Sequence, residues 1–135
     1  QHIAGELVGR FEKERPPLPA ISLASDTSVM TCIANDYEYE SLFARQVEAL
    51  ARPGDLLWAL STSGESPNIL RAAEWAKENG ITVISFTGCN ESTLENISDH
   101  CLCVGTRNTA RVQEIHQLAY HIICRYLDNV HSVSP

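Results

Sequence analysis

The stretch Leu56-Leu57-Trp58-Ala59-Leu60-Ser61-Thr62-Ser63-Gly64-Glu65-Ser66-Pro67 decides how this chain folds. Its first five residues are an unbroken apolar run of strand length. Pro67 then opens a helical pattern, with Ile69, Ala72, Ala73 and Ala76 spaced i, i+3, i+4, i+7. A strand, a small hydroxyl-rich turn and a helix form a recurrent anion site. The first helical N–H groups have no intrahelical partner, and the helix dipole leaves partial positive charge beside them. A phosphate can take both. Ser61, Thr62, Ser63 and Ser66 add hydroxyl donors, and Gly64 allows close backbone approach. The turn carries no Lys or Arg, so it would hold a phosphate mainly through neutral groups.

A plainer reading of the same residues is a helix cap, with Ser66 at the N-cap and Pro67 at the favoured first position. Local sequence leaves both open. No GxxxxGK[ST] or GxGxxG nucleotide motif is present.

Upstream, Arg52-Pro53-Gly54-Asp55 is a turn into the apolar strand. A helix from about Tyr39 carries Leu42, Phe43, Val47 and Leu50. Before it, Asp26 or Thr27 caps a helix with Val29, Met30, Cys32 and Ile33, which Asn35-Asp36 breaks. Pro19–Leu23 reads as a strand, and residues 1 to about 14 as a helix with the stripe Ile3, Leu7, Phe11, stopped by Pro16-Pro17. Downstream, Asn79-Gly80 terminates the helix from Pro67. Ile81–Phe86 is rich in β-branched residues and reads as a buried strand. A short helix near Ser92–Ile97, a strand at Cys101–Val104 and a helix from Thr109 to Val130 follow. Ile115, Leu118, Ala119, Ile122, Tyr126 and Leu127 are expected to form the buried face of that last helix, and His131–Pro135 to fray. Four strands separated by helices predict one α/β domain over residues 1–135: a doubly wound, mainly parallel sheet flanked by helices.

With apolar residues at 44%, a chain of 135 residues can bury a real core. The net charge of −7 argues against a nucleic-acid surface. No apolar run approaches the ~20 residues of a membrane span. Cys32, Cys89, Cys101, Cys103 and Cys124 are an odd count without CxxC spacing, which suits reduced thiols in a cytoplasmic protein. The helical pattern is already under way at Gln1, so an N-terminal part is expected to be missing.

In such a sheet, ligands gather at the carboxyl ends of the strands, where the Ser61–Ser66 turn lies. His2, Glu6, Glu114, His116 and His121 are the candidates for proton transfer. His2, Glu6 and Arg10 form an i, i+4, i+8 stripe, in which a His and a Glu one turn apart can reach one ligand. The same stripe also reads as a solvated face with a Glu6–Arg10 pair. On the last helix Gln113, Gln117 and His121 share a stripe. Helical geometry pairs Glu114 with His121, two turns apart, and leaves Gln113 about 80° round. Neither GxSxG nor HExxH occurs. His and Glu on separate helices could serve as an acid/base pair on a sugar phosphate, or share a metal ion.

His2-Ile3-Ala4-Gly5-Glu6-Leu7, Asn35-Asp36, Ser61-Thr62-Ser63-Gly64-Glu65-Ser66 and Arg111-Val112-Gln113-Glu114-Ile115-His116 fall in one order. Together they resemble the sugar isomerase (SIS) domain family, and more closely its phosphoheptose isomerases, over essentially the whole chain. The resemblance implies a flavodoxin-like three-layer sandwich. It implies conversion of sedoheptulose 7-phosphate to D-glycero-D-manno-heptose 7-phosphate by enediol proton transfer, for lipopolysaccharide heptose precursors. By it, Ser61, Thr62, Ser63 and Ser66 bind the phosphate, with Asn35, Asp36, Arg10 and Gln113 near the substrate. Glu6 and His121 are the acid/base pair, and His2, Glu6, Gln113 and His121 hold one zinc ion. The family usually carries a helical segment, a first strand and a Gly-rich loop ahead of the position of Gln1. Some relatives have an acid where Ala110 stands.

A second reading is a non-catalytic SIS module that binds a sugar phosphate, or a replication-initiation regulator. Both keep the phosphate turn; only the enzyme needs Glu6, Gln113 and His121. The apolar stripes on the first and last helices exceed what one small sheet covers, which predicts a homo-oligomer. The family resemblance implies a tetramer.

Overall fold

The computed structural model describes residues 1–132. The elements run α1 (His2–Val8), α2 (Thr27–Asp36), a single 3-10 turn at Tyr39–Ser41, α3 (Ala44–Leu50), β1 (Leu56–Ser61), α4 (Pro67–Glu78), β2 (Thr82–Thr87), α5 (Thr93–Ile97), β3 (His100–Cys103) and α6 (Thr109–His131). They form two compact units, one spanning Asp26–Gln113 and the other combining Gln1–Ser25 with the chain from Glu114 onward.

In the first unit the strands form one parallel sheet in the order β1-β2-β3. The β1–β2 register runs from Leu56 opposite Thr82 to Ser61 opposite Thr87, so both strands end level. Val83, Ala59 and Phe86 are buried in it, and the ring of Trp58 meets Phe86 edge-on at 5.2 Å. Helix α4 turns Ala72, Ala73 and Ala76 inward, all fully or nearly fully buried. Three alanines let a helix lie close to a sheet at little loss of side-chain entropy. Asp26 caps α2 by accepting from the Val29 N–H at 3.0 Å, and α4 ends at Gly80 in the left-handed region.

Four expectations are corrected. Three strands, not four, occur among the described residues. Pro19–Leu23 is irregular and leads into a turn in which Ser25 N–H donates to Ser22 O. A strand exists only where a neighbour completes its ladder, and prolines 16, 17 and 19 bring no N–H, while that of Leu18 donates to Leu7 O. The first helix stops at Val8 rather than running to residue 14. Its last carbonyls are claimed from outside, Leu7 O by Leu18 N–H and Arg15 and Glu6 O by Arg15, and Asp128 takes the N–H groups of Glu12 and Lys13. Phe11 and Arg10 therefore lie past the helix. The helix expected from about Tyr39 begins as the 3-10 turn and becomes α-helical only at Ala44.

The fourth correction concerns α6. Ile115, Leu118, Ile122 and Tyr126, expected inside, are 41–67% exposed. The stripe that is buried is Val112, His116, Tyr120, Cys124 and Asp128, at i+4 steps. Two of those polar residues satisfy their groups internally: Asp128 with Arg15 and two backbone N–H groups, Tyr120 with His2. A polar side chain with its partners supplied can be buried. Cys124 is buried, Cys32 is exposed and the other three cysteines lie between. Of the tail His131–Pro135, His131 ends α6 and residues 133–135 lie outside the described residues.

Candidate functional site

In the sheet unit, the turn after β1 closes on itself through hydroxyls. Ser61 Oγ lies 3.1 Å from Ser66 Oγ and 3.4 Å from Ser63 Oγ. Gly64 N–H donates to Ser61 Oγ at 3.1 Å, and Glu65 N–H to Ser63 Oγ at 3.1 Å. Ser66 stands at the N-cap of α4, yet its side chain makes no capping bond. The cap position and Pro67 at the start of α4 are thus as the cap reading has them, while the Ser66 hydroxyl is turned to Ser61 instead of to the helix N–H groups. Gly64 has φ +70, and a Cβ there would sit 2.4 Å from the Ser92 side chain. Gly88 is equally constrained: a Cβ would fall 2.4 Å from Thr62 O, which accepts the Gly88 N–H.

Glu65, between the serines, has a structural role that the sequence did not reveal. Its two carboxylate oxygens accept Thr93 N–H and Thr93 Oγ–H, both at 2.8 Å, at the start of α5. The Thr93 backbone N–H, then its hydroxyl, holds the Glu65 carboxyl below its usual range. Thr62, Ser63 and Glu65 line an open depression of about 420 Å³ together with Asn90, Ser92 and Arg107. Arg107 brings a cation to this hydroxyl-rich wall. The sequence reading passed over it because it lies 41 residues beyond Ser66, in the loop after β3.

In the other unit, His2 Nε2 and Glu6 Oε1 are 2.9 Å apart on one face of α1. A ligand atom of His121, on α6, joins theirs, and all three lie within 4.8 Å of one another. His2 meets His121 edge-on at 5.2 Å, and the Phe11 ring lies tilted against His121 at 5.1 Å. Tyr120 Oη is 2.7 Å from His2 Nδ1. Burial, and then the nearby Glu6 charge, pushes the Tyr120 phenol up. His121 Nε2 is buried with no hydrogen-bond partner. A buried imidazole nitrogen left unpaired is costly unless something not of this chain meets it. Two imidazoles and a carboxylate are the donor set of divalent-metal sites that keep open positions, so the residues fit a metal ion.

The predicted residues thus separate clearly. His2, Glu6 and His121 come together, and so do Ser61, Ser63 and Ser66. Glu114, which helical spacing pairs with His121, is not in the convergent group, and His116 is part of the buried stripe of α6. Gln113 is an exposed residue of α6. Arg10 contacts Glu14 and Glu12 O, not Glu6. Asn35 and Asp36 close α2, with Asn35 Nδ2 donating to Asp36 Oδ1 at 2.8 Å.

Beneath the ligand group lies a pair that sequence reasoning missed. Arg15 and Asp128 are ion-paired at 2.7 Å with side chains 0% and 1% exposed. Arg15 also donates to Glu6 O at 2.7 Å and Leu7 O at 2.9 Å. The segment holding Glu6 is thereby tied to the helix holding His121. Only a charged residue amid the apolar turns of α6 could have signalled it.

Comparison with known proteins agrees with this picture. The SIS domain family matches the chain over residues 1–88. A phosphoheptose isomerase of Roseiflexus sp. (strain RS-1) is 50% identical over 128 residues, which are 95% of this chain and 65% of that protein. Another, of a Nitratiruptor species, is 51% identical over 128 residues, 95% of this chain and 68% of that protein. A solved phosphoheptose isomerase from Francisella tularensis matches with a TM-score of 0.90 at 41% identity, across 96% of this chain and 69% of that one. The chain thus spans about two thirds of the length of these relatives. Its parallel sheet flanked by helices is the SIS fold, and the chain belongs to the SIS domain family and, within it, to the phosphoheptose isomerases.

Proposed function

We propose that residues 1–135 act as one SIS domain that interconverts sedoheptulose 7-phosphate and D-glycero-D-manno-heptose 7-phosphate, supplying heptose for lipopolysaccharide in the cytoplasm. The observation that carries this reading is the meeting of His2, Glu6 and His121, the first and last 119 positions apart along the chain, with one ligand atom of each within 4.8 Å of the others. A module that only binds sugar phosphate has no use for such a group. The relatives' names support the same reaction.

Aldose–ketose isomerisation moves a proton between C1 and C2 through an enediol. It needs a base at carbon, an acid at oxygen and stabilisation of the developing oxyanion. We assign the carbon-bound proton to the Glu6 carboxylate and the oxygen-bound protons to His121. Ser61, Thr62, Ser63 and Ser66, with Arg107 beside them, hold the phosphate, and Asn35, Asp36, Arg10 and Gln113 face the sugar. Binding the phosphate away from the reacting carbons fixes geometry. His2, Glu6 and His121, joined by Gln113, would hold one zinc ion. When bound, zinc supplies Lewis acidity to the carbonyl and hydroxyl oxygens. The acidic charge of −7 supports a partner list without nucleic acid, and no helix among the described residues is long and apolar enough to cross a membrane. The exposed apolar stripe Ile115, Leu118, Ile122, Tyr126 and Val130 supports a homotetramer.

The test is turnover of sedoheptulose 7-phosphate with and without a chelator, and in Glu6→Gln and His121→Ala. Each variant should lose roughly 10²- to 10⁴-fold in kcat, the usual worth of a positioned acid or base. Normal turnover in both would remove these residues from the mechanism.

A further inference from the structure

We propose that Tyr120 is a positioning residue that sets the ring orientation and tautomer of His2, so that His2 Nε2 can serve as a metal ligand. The inference rests on the metal reading of the His2, Glu6, His121 group. His2 has both ring nitrogens committed: Nδ1 at 2.7 Å from Tyr120 Oη, and Nε2 at 2.9 Å from Glu6 Oε1. A neutral imidazole carries one N–H donor and one acceptor nitrogen. With Nε2–H donating to the Glu6 carboxylate, Nδ1 is the acceptor and the Tyr120 hydroxyl must donate. With the Nε2 lone pair given to a cation, the ring proton sits on Nδ1 and the Tyr120 hydroxyl must accept. A phenol does both; a carbonyl could only accept and an ammonium only donate. Tyr120 therefore partners His2 in either arrangement without moving a heavy atom.

His2 needs such a partner. It lies in the first turn of a seven-residue helix whose N-cap, Gln1, makes no side-chain capping bond. So short a helix is marginal by itself. The His2 side chain is 51% exposed, whereas Tyr120 is 8% exposed and fixed on the 23-residue α6. Ring contacts at 5.3 Å between His2 and Tyr120, and at 4.7 Å between Tyr120 and His121, complete the bracket. Partners of this kind, holding the far nitrogen of a ligating histidine, commonly contribute roughly 10- to 100-fold in metal affinity.

Zn²⁺ affinity is measured by competition with a chromophoric chelator in the wild-type chain, Tyr120→Phe and Tyr39→Phe. Phenylalanine keeps the ring contacts and removes only the oxygen; Tyr39, exposed in the 3-10 turn, is the control. The expected result is roughly 10- to 100-fold weaker zinc binding in Tyr120→Phe alone, with its metal-free melting temperature close to wild type. Zinc-loaded wild type should also show a protected His2 Nδ1–H resonance by NMR that Tyr120→Phe lacks. Equal zinc affinity in wild type and Tyr120→Phe overturns the inference. An equal loss in both tyrosine variants also overturns it, because the effect would then be general. Absence of zinc binding by wild type overturns the metal reading itself.

Discussion

Replacing Asp128 by asparagine should cost this protein more stability than any surface change, by an amount that depends on pH in a defined direction. The carboxylate is fully buried. Its Oδ2 accepts Glu12 N–H at 2.6 Å and Lys13 N–H at 2.8 Å, and its Oδ1 accepts Arg15 Nε–H at 2.7 Å. Burial alone would push this carboxyl up. The Lys13 and Glu12 N–H groups and the Arg15 guanidinium more than offset burial and bring it down to about 2, from 3.8. Because the folded value lies below the unfolded one, the group stabilises the fold above pH ~4. That contribution fades as pH falls from there toward 2. The shift corresponds to about 2 kcal/mol, at ~1.4 kcal/mol per pH unit. The neutral amide of Asp128→Asn would leave the buried Arg15 charge uncompensated, and breaking such a pair costs about 3–5 kcal/mol. At about 4 °C per kcal/mol for a chain of this size, Asp128→Asn should melt about 12–20 °C below wild type at pH 7. Thermal melts followed by circular dichroism from pH 7 to pH 2 give both numbers. The gap should stay level above pH ~5 and narrow by about 2 kcal/mol on acidification. A gap under ~3 °C at pH 7, or one that does not change with pH, would refute the idea that this pair clamps the Glu6 segment to α6.

Gly64→Ala should lower the stability read from urea unfolding by about 1–3 kcal/mol, since φ is +70 and the new methyl would meet Ser92 at 2.4 Å; an unchanged midpoint would mean the turn relaxes freely. Ser61→Ala removes the hydroxyl shared by Gly64 N–H, Ser63 and Ser66. Affinity for inorganic phosphate, read by calorimetry, should fall roughly five- to tenfold, from about 1–1.5 kcal/mol for one hydrogen bond. A charge on the exposed α6 stripe, as in Leu118→Glu with Ile122→Lys, should reduce the mass seen by light scattering while helix content is kept. An unchanged mass would place the subunit interface elsewhere.

The sequence by itself determined the first two strands, β1 and β2, and the turn after the first of them. Leu56–Leu60 and Ile81–Phe86 are continuous apolar or β-branched runs, and such runs mark buried parallel strands whatever surrounds them. Pro67, Asn79-Gly80 and Asp26 mark helix ends through local bonds and backbone angles, so they too were legible. Spacing put His2 and Glu6 on one helix face as a possible ligand pair and favoured Glu114 as the partner of His121; the family resemblance joined His2 and Glu6 to His121. Tertiary structure decided what depends on distant partners. Residues 9–14 follow a helical pattern but leave the helix because Arg15 and Asp128 take the backbone groups that would continue it. The apolar side of α6 faces outward while His116, Tyr120 and Asp128 go in, because burial follows whether polar groups find partners as much as it follows hydropathy. A hydrogen bond between residues 118 positions apart, such as that of Tyr120 with His2, leaves no periodic trace in the chain and exists only once the fold has brought the two together.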